Sequence, residues 1–298
     1  MSRTADILIT ALAPLIWGLT YIITTQFLPH GYPLTVALIR ALPAGVILLL
    51  VLRQLPTGKW WWRVFILGGL NFTIFFSMLF VAAYRLPGGV AATVGAIQPL
   101  VVIVLSRFVL SVPLKAGSII AAIAGICGVA LLVLTPKATL DPIGIAAGLF
   151  GAASMAVGVV LTRRWQPPVS PLTFTAWQMT AGGLLLVPLA LFIEPPLPAL
   201  TFTNIAALAF LAIIGGALAY LLWFRGIGIL GASAASLLSL LSPVVAVIVG
   251  WLVLDQTLSP AQTAGILVVL ASVWIGQRSQ RPVAVSLASK SHADALAN

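Results

Sequence analysis

The chain has 298 residues, of which 61% are apolar and 7% are charged. A soluble domain averages about 45–50% apolar and about 25% charged residues, so this composition excludes a soluble globular protein. The formal net charge is +10, but the basic residues stand singly or in pairs at the ends of apolar runs. That pattern is typical of membrane topology signals and argues against nucleic-acid binding. The sequence therefore predicts a polytopic membrane protein.

Ten apolar runs follow one another, each close to the length of about 20 residues that an α-helix needs to cross a bilayer. Short connections rich in proline and glycine separate them and leave no room for a soluble domain. We predict an all-α polytopic membrane protein with ten transmembrane helices. The predicted spans are Asp6–Leu28, Pro33–Leu52, Val64–Tyr84, Gly88–Leu110, Leu114–Leu134, Ile143–Leu161, Pro171–Ile193, Ile205–Phe224, Gly231–Leu254 and Leu258–Ile275.

The basic residues predict the orientation of these spans. With the N-terminus in the cytoplasm, twelve of the fifteen Lys and Arg residues fall in inside segments. Only Arg85 and Lys137 fall outside, and Arg40 lies within a span. Cytoplasmic loops carry such an excess of positive charge, so both termini are expected in the cytoplasm of a bacterial inner membrane.

Two spans carry the same motif at their centre, a polar residue followed by proline. Gln98-Pro99 in span four recurs in span nine as Ser242-Pro243. A polar side chain and a missing backbone donor both cost free energy in hydrocarbon, so each needs a neighbour or a cavity. We expect Gln98 and Ser242 to face a central site, and Pro99 and Pro243 to bend their helices or act as hinges.

The duplication extends to the whole chain. It divides the sequence into a first repeat at residues 1–136, a second at 137–281, and a disordered cytoplasmic tail at 282–298. Because each repeat holds five spans, an odd number, the second copy crosses the membrane in the opposite sense. The expected architecture is a five-plus-five inverted repeat, which is common in transporters that alternate access around a central site.

These motifs resemble a known family. Pro14, Trp17, Gly18 and Tyr21 in span one, the two polar-proline spans and the small-residue tract at residues 228–235 are similar to the EamA-type drug/metabolite transporter superfamily. The resemblance covers roughly residues 5 to 277 and is closest to the YddG group of bacterial aromatic amino-acid exporters. It implies export of small metabolites as the physiological direction.

Arg40 is the sharpest candidate for substrate binding. An arginine within a span costs about 2.5–3.5 kcal/mol on insertion scales, so it normally faces protein or water and can hold a carboxylate through its planar guanidinium. It can also extend outward to the interface or bind a helix-end carbonyl. Its partner in the second repeat is Gln178. Trp17, paired with Met155, is expected to line the pocket, with lipid contact or packing as the alternative.

Further candidates surround the two polar-proline motifs. Ser239 lies one turn before Ser242 on a similar face. Phe76 in span three aligns with Tyr220 in span eight, and both are candidates for aromatic walls. For Gln98 and the serines the alternative is hydrogen bonding between helices, and for the aromatic residues it is ordinary packing.

The absence of certain residue types from the predicted spans narrows the range of possible functions. No Asp or Glu lies in the interior of a predicted span, whereas proton-coupled exporters of cationic drugs usually need a membrane carboxylate. No His, Cys and carboxylate cluster indicates a metal site, and no titratable pair indicates an enzyme. The prediction is a transporter without a cofactor, with amino acids as small-molecule substrates and the lipid bilayer around it. Other small metabolites, neutral drugs and, with less support, sugar phosphates remain as alternatives, and a membrane-embedded enzyme or lipid-handling protein is the rival from another class.

Overall fold

The computed structural model describes residues 2–86, 93–133, 141–253 and 258–280, and within these ranges it contains helices and no strand. We number ten helices in chain order. They are α1 Arg3–Phe27, α2 Pro33–Leu52, α3 at residues 60–85, α4 Thr93–Val109, α5 Ala116–Val133, α6 Pro142–Trp165, α7 Pro171–Ile193, α8 Phe202–Leu230, α9 Ala232–Val253 and α10 Pro260–Ser279.

Eight of these helices are long and apolar enough to cross a membrane, and the other two, α4 and α5, are shorter apolar helices. The all-helical prediction and the positions of the ten spans agree with this arrangement. The start of span four, the end of span five, the end of span nine and the predicted tail lie partly or wholly outside the described residues. Several helices run further than predicted: α3 begins at Trp60, α6 continues to Trp165, α8 to Leu230 and α10 to Ser279.

Local sequence explains where the helices begin. A Ser, Thr or Asp side chain accepts a hydrogen bond from a first-turn amide at the start of five helices, and proline occupies the first turn of four. The caps are Ser2, Asp141, Ser170, Thr201 and Ser259. At α6 the amide of Gly144, helped by Arg85, holds the pKa of Asp141 below its usual value.

Helices α2 and α7 pack closely against each other. An added Cβ at Gly45 would lie 2.6 Å from the amide nitrogen of Thr180, and one at Gly183 would lie 2.6 Å from Cβ of Leu42. Each glycine therefore lets the partner backbone approach, as small residues do between membrane helices. The interval along the chain from Gly45 to Gly183 equals that from Leu42 to Thr180, so the two contacts correspond under one sequence offset.

Related contacts lie at the two ends of this pair. The Glu194 carboxylate, just after α7, accepts hydrogen bonds from the amides of Leu34 at 2.6 Å and Thr35 at 2.8 Å. It thereby caps the start of α2, where free N–H groups favour negative charge. At the opposite end, Thr173 near the start of α7 donates to Gln54 Oε1, just after α2, at 2.9 Å.

The remaining helices form two matching sets of contacts, one from each half of the chain. Helix α1 contacts α8 and α9, while α6 contacts α3 and α4, and α5 pairs with α10. Exchanging each of α1–α5 with the helix numbered five higher thus converts one set of contacts into the other. Contacts link α1, α3, α4, α6, α8 and α9, and these six are called the central helices below.

Helices α4 and α9 are interrupted at their polar-proline motifs. A turn at Ala96 and Ile97 precedes Gln98, and a turn at Ser239 and Leu240 precedes Ser242. Tight i to i+3 hydrogen bonds replace the regular pattern there, from Ile97 to the Val94 carbonyl at 3.3 Å and from Ser242 to the Ser239 carbonyl at 3.1 Å. Proline has no N–H for the carbonyl four residues earlier, so the regular pattern cannot continue through it.

Helices α3 and α8 each contain a π-helical segment. These segments are Gly69–Ile74 and Ile213–Leu218, and the sequence offset between them is the same as that between Pro99 and Pro243. A π turn widens the helix and changes which backbone carbonyls are bonded within it. Both segments belong to the central helices and contain buried residues.

Gly183→Ala is expected to lower the thermal unfolding midpoint in detergent, because its Cβ would meet Leu42 backbone and side-chain atoms at 2.6–2.9 Å. Overpacking of this kind costs about 1–3 kcal/mol. Gly228→Ala is the matched control, since nothing lies within 4 Å of its added Cβ. An equal effect of the two substitutions would contradict the close α2–α7 contact.

Candidate functional site

A cavity of about 230 Å³ lies within the central helices. It runs along α1 from Trp17, near the middle of that helix, past Thr20 and Thr24 to His30 in the connection to α2. Aromatic and aliphatic side chains form most of its wall, which fits the usual make-up of a small-molecule site with few polar groups.

Eight of the nine residues predicted to bind substrate line this cavity, and so does Pro243. The eight are Trp17, Arg40, Phe76, Gln98, Met155, Tyr220, Ser239 and Ser242. The ninth, Gln178, does not line it, and neither does Pro99. The cavity thus brings together side chains from α1, α2, α3, α4, α6, α8 and α9, although their role in binding stays a prediction.

Arg40 reaches the cavity wall from α2. Its side chain is buried, with 4% exposure, and its Nη2 donates to the carbonyl oxygen of Gly215 on α8 at 3.1 Å. The guanidinium carbon lies 4.8 Å from the ring centroid of Phe76, a cation–π distance. The charge therefore stays within protein and does not extend to the interface.

The same Gly215 carbonyl also accepts a hydrogen bond from Trp17 Nε1 at 3.0 Å. Gly215 lies in the π segment of α8, where the Ala219 amide donates to the carbonyls of Ile214 and Gly216. In a regular α-helix that amide would bond to Gly215. The π turn thus directs the usual backbone donor elsewhere, and side chains from α1 and α2 meet this carbonyl. The Trp17 N–H is occupied here, so its ring face is what it offers to a ligand.

Aromatic rings close one end of the cavity. Tyr220 lies 4.9 Å from Trp17 and 4.5 Å from Phe72 between ring centroids. The contacts continue from Tyr220 to Phe224 at 5.6 Å and from Phe224 to Phe174 at 5.4 Å. The rings of Phe72, Tyr220, Phe224 and Phe174 are buried and form a continuous aromatic plug.

A second cavity, of about 610 Å³, lies on the other side of this plug. Phe174 and Phe224 line it together with Thr162, Arg163 and Arg225 at the ends of α6, α7 and α8. Since Arg225 pairs with Asp6 at the start of α1, this cavity is at the N-terminal end of α1. The first cavity extends to the C-terminal end of α1, so the two lie at opposite ends of the bundle.

Gln178 is buried on α7, where its Oε1 accepts a hydrogen bond from Asn71 Nδ2 at 2.7 Å. The sequence analysis paired Gln178 with Arg40 as its partner in the second repeat. Asn71, in the π segment of α3, precedes Gly215 by the same number of residues that separates the two prolines. Arg40 precedes Gln178 by the number of residues that relates the α2–α7 contacts. The contact between α7 and α3 thus corresponds to that between α2 and α8, but it lies in packed protein away from the first cavity.

The wall formed by α4 and α9 has one amide with an open donor. The Gln98 side chain is 8% exposed, and its Nε2 has no hydrogen-bond partner among the described residues. Ser239 donates to the Ser236 carbonyl of its own helix at 2.7 Å, so that hydroxyl is partly engaged. Gly18 of α1 lies directly against the Ser242 carbonyl and Val245, which holds α9 close to α1.

The prediction missed Thr20, Thr24 and Trp223. The two threonines follow Trp17 by three and seven residues, so all three share one face of α1. That spacing was available in the sequence as a signal. Trp223 is fully buried against the ring of Trp17 at 5.2 Å, and helical spacing alone does not separate it from the many apolar residues of α8.

An ion pair lies at each end of the bundle. Arg225 Nη2 and Asp6 Oδ1 are 2.7 Å apart between α8 and α1. Arg85 Nη1 and Asp141 Oδ2 are 3.4 Å apart between α3 and the start of α6, and both side chains are more exposed. The shorter pair is at the end with the second cavity. Asp6 thus lies inside α1, in its first turn and with its side chain buried, although the sequence placed it at the edge of span one.

No group of three His, Cys, Asp or Glu side chains that could hold a metal ion occurs in the described part of the chain. The polar groups of the first cavity are a guanidinium, an amide, hydroxyls and an imidazole. These groups suit recognition of a small ligand by hydrogen bonds and charge.

Comparisons with known proteins agree on the class of protein. The EamA-like transporter family model matches residues 4–134 and again residues 142–275. Protein PecM of Dickeya dadantii is 49% identical over 89% of this chain and 90% of its own length. An uncharacterised inner membrane transporter, YedA of Escherichia coli K12, is 28% identical over 87% of this chain and 86% of its length.

Two further similarities are more distant. A WAT1-related chloroplastic protein of Arabidopsis thaliana is 28% identical over 87% of this chain and 66% of its own length. A solved crystal structure shares the fold with a TM-score of 0.76 at 19% identity, covering 92% of this chain and 96% of that one. The helical bundle, its candidate membrane spans and the family matches together lead to one assignment: this chain is a membrane protein of the EamA-like transporter family.

Proposed function

We propose that the protein is an inner-membrane transporter that exports amino acids, aromatic or otherwise hydrophobic, and related metabolites by alternating access around the first cavity. The observation that carries the proposal is the buried guanidinium of Arg40 in the wall of a small, mostly apolar cavity. A ligand with one carboxylate and one hydrophobic part complements both features.

Arg40 supplies the carboxylate contact in this proposal. Arginine forms a planar fork of donors that matches a carboxylate, and bonds between charged groups are stronger than neutral ones. Its Nη2 is fixed by the Gly215 carbonyl and its face by Phe76. The guanidinium is therefore held in position before a ligand arrives, which reduces the entropy lost on binding.

The aromatic walls take the hydrophobic part. Trp17, Phe76 and Tyr220 present ring surfaces to the cavity. The cavity volume of about 230 Å³ lies below the range of about 300–1,000 Å³ usual for drug-sized ligands. This size favours an amino acid over the neutral drugs that the sequence left open as substrates.

The small number of basic side chains around the cavity argues against a sugar phosphate as the substrate. Arg40 and His30 are the basic side chains among the described residues that line it. A phosphate ester carries more charge than a carboxylate and is usually held by several basic groups. A single buried guanidinium suits a singly charged carboxylate better.

Alternating access is supported by the arrangement of the two ends. The first cavity extends to one end of the bundle, and the aromatic plug with the shorter Arg225–Asp6 pair lies towards the other. We propose that the two halves form a five-plus-five inverted repeat. In the alternative state the Arg85–Asp141 end would close and the second cavity would join the central site. Export as the direction rests on the resemblance to YddG exporters.

Arg40→Gln is expected to weaken binding and transport of a hydrophobic amino acid by about 10–100-fold, because a charge-assisted hydrogen bond contributes about 1.5–3 kcal/mol. The measurements are ligand-induced thermal stabilisation in detergent and uptake of labelled amino acids into liposomes holding only this protein.

Arg107→Gln is the control for this experiment. Arg107 is exposed near the end of α4 and does not line the first cavity, so its loss should leave transport close to that of the wild type. Both variants must insert in equal amounts. Equal losses in the two variants would remove the case for a carboxylate contact at Arg40.

Cysteines placed at Gln98 and Ser242 are expected to react with a membrane-impermeant thiol reagent from one side, and saturating substrate should slow both reactions. The background is Cys127→Ala, since Cys127 is exposed. Cysteines at Val129 and Leu267, on the peripheral pair α5 and α10, should not react. If positions 98 and 242 were as inert as these controls under every condition, the central site would be wrong.

The orientation has its own test. A reporter fused after Arg281, or inserted between Arg53 and Arg63, is expected to show a cytoplasmic location, because positive charge concentrates on the inner side. A reporter inserted in the connection that holds His30 should show the opposite side. Reversal of these results would invert the proposed orientation.

A further inference from the structure

The first cavity contains polar groups that a carboxylate alone does not use. Thr20 and Thr24 line it from α1, and the Oγ1 atom of each is buried without a hydrogen-bond partner in the described structure. The Gln98 amide lines it from α4, also with an unpartnered buried nitrogen. Buried polar atoms are nearly always hydrogen-bonded, so three unpartnered ones around one cavity favour a polar ligand there.

These groups lie on the same wall as the guanidinium. Trp17 and Arg40 share the Gly215 carbonyl, at 3.0 and 3.1 Å, so the Arg40 head group is level with Trp17 on α1. Thr20 lies three residues further along the same helical face, a rise of about 4.5 Å. Thr24 is one turn beyond Thr20, towards His30. A ligand held at Arg40 would therefore lie about one helical turn from Thr20 along α1.

The types of donor and acceptor identify what the ligand must supply. Arg40 and the Gln98 Nε2 donate hydrogen bonds, which suits the two oxygens of a carboxylate. The threonine oxygens and the Gln98 Oε1 can accept them, which suits the N–H groups of an ammonium. No Asp or Glu is among the described residues that line the cavity, so neutral oxygens are the acceptors available there.

Resting on the proposed function, we infer that Thr20 and Thr24 hold the α-ammonium group of a zwitterionic substrate while Arg40 and the Nε2 atom of Gln98 hold its carboxylate. The protein would then discriminate an amino acid from the same carboxylate without its amino group. Lacking the ammonium, that analogue would leave the threonine oxygens unpaired, and unpaired buried groups are costly.

The test compares L-phenylalanine with 3-phenylpropanoate, which has the same ring and carboxylate but no ammonium. Dissociation constants are measured by calorimetry on purified protein. The wild type is expected to prefer phenylalanine by at least about tenfold, the effect of one unpaired buried polar group. The T20V/T24V variant should bind phenylalanine more weakly and phenylpropanoate as before, so that the preference falls to about twofold or less.

Two further variants guard against a general loss of structure. T20S/T24S keeps both hydroxyls and should keep the preference. T25V is the matched control, because Thr25 also lines the cavity but its hydroxyl donates to the Ile22 carbonyl. A preference that survives in T20V/T24V, or that is absent from the wild type, would overturn the inference alone. If the wild type bound neither ligand nor any other amino acid, the proposed function would fall and this inference with it.

Discussion

The carbonyl oxygen of Gly215 is the atom on which the candidate site depends. It accepts hydrogen bonds from Trp17 on α1 and Arg40 on α2, and so fixes both side chains against α8. A charged side chain within a membrane helix is expensive unless protein or water surrounds it. Here the guanidinium is buried against a carbonyl and an aromatic face, and it still borders the cavity. The shared carbonyl thus makes one buried cation compatible with a mostly apolar wall.

The two ends of the bundle contain corresponding contacts in different states of packing. Arg40 meets the π segment of α8 beside a cavity, whereas Gln178 meets Asn71 in the π segment of α3 within closed protein. Under the proposed inverted repeat, these are the same contact on opposite sides of the membrane. The difference between them is then the difference between an open and a closed side, and a single conformation displays both. The ion pairs differ in the same sense, since the shorter one is at the closed end.

Sequence reasoning placed the helices well because apolar runs of about 20 residues, separated by proline- and glycine-rich connections, mark the spans. The helix starts also carry local signals, such as Ser259 before Pro260 and Asp141 before Pro142. It also singled out Arg40 and Gln98, because a cation or an amide within an apolar run is rare. It could not place Gln178, whose surroundings depend on which side of the protein is closed. It overlooked Thr20 and Thr24, since isolated hydroxyls in a membrane helix usually bond to their own backbone. The π segments have no recognisable sequence pattern, so the role of the Gly215 carbonyl had to come from coordinates.

The π segment of α8 also makes the candidate site sensitive to the deletion of a single residue. A π turn holds one residue more than the α turn it replaces. Removing any one residue from Ile213–Leu218 would restore a regular helix and rotate everything beyond it by about 100°. Tyr220 and Phe224 would leave the aromatic plug, and Arg225 would turn away from Asp6, although every one of these side chains would still be present. Among related proteins, a single-residue gap in this segment would therefore alter the site more than many substitutions within it.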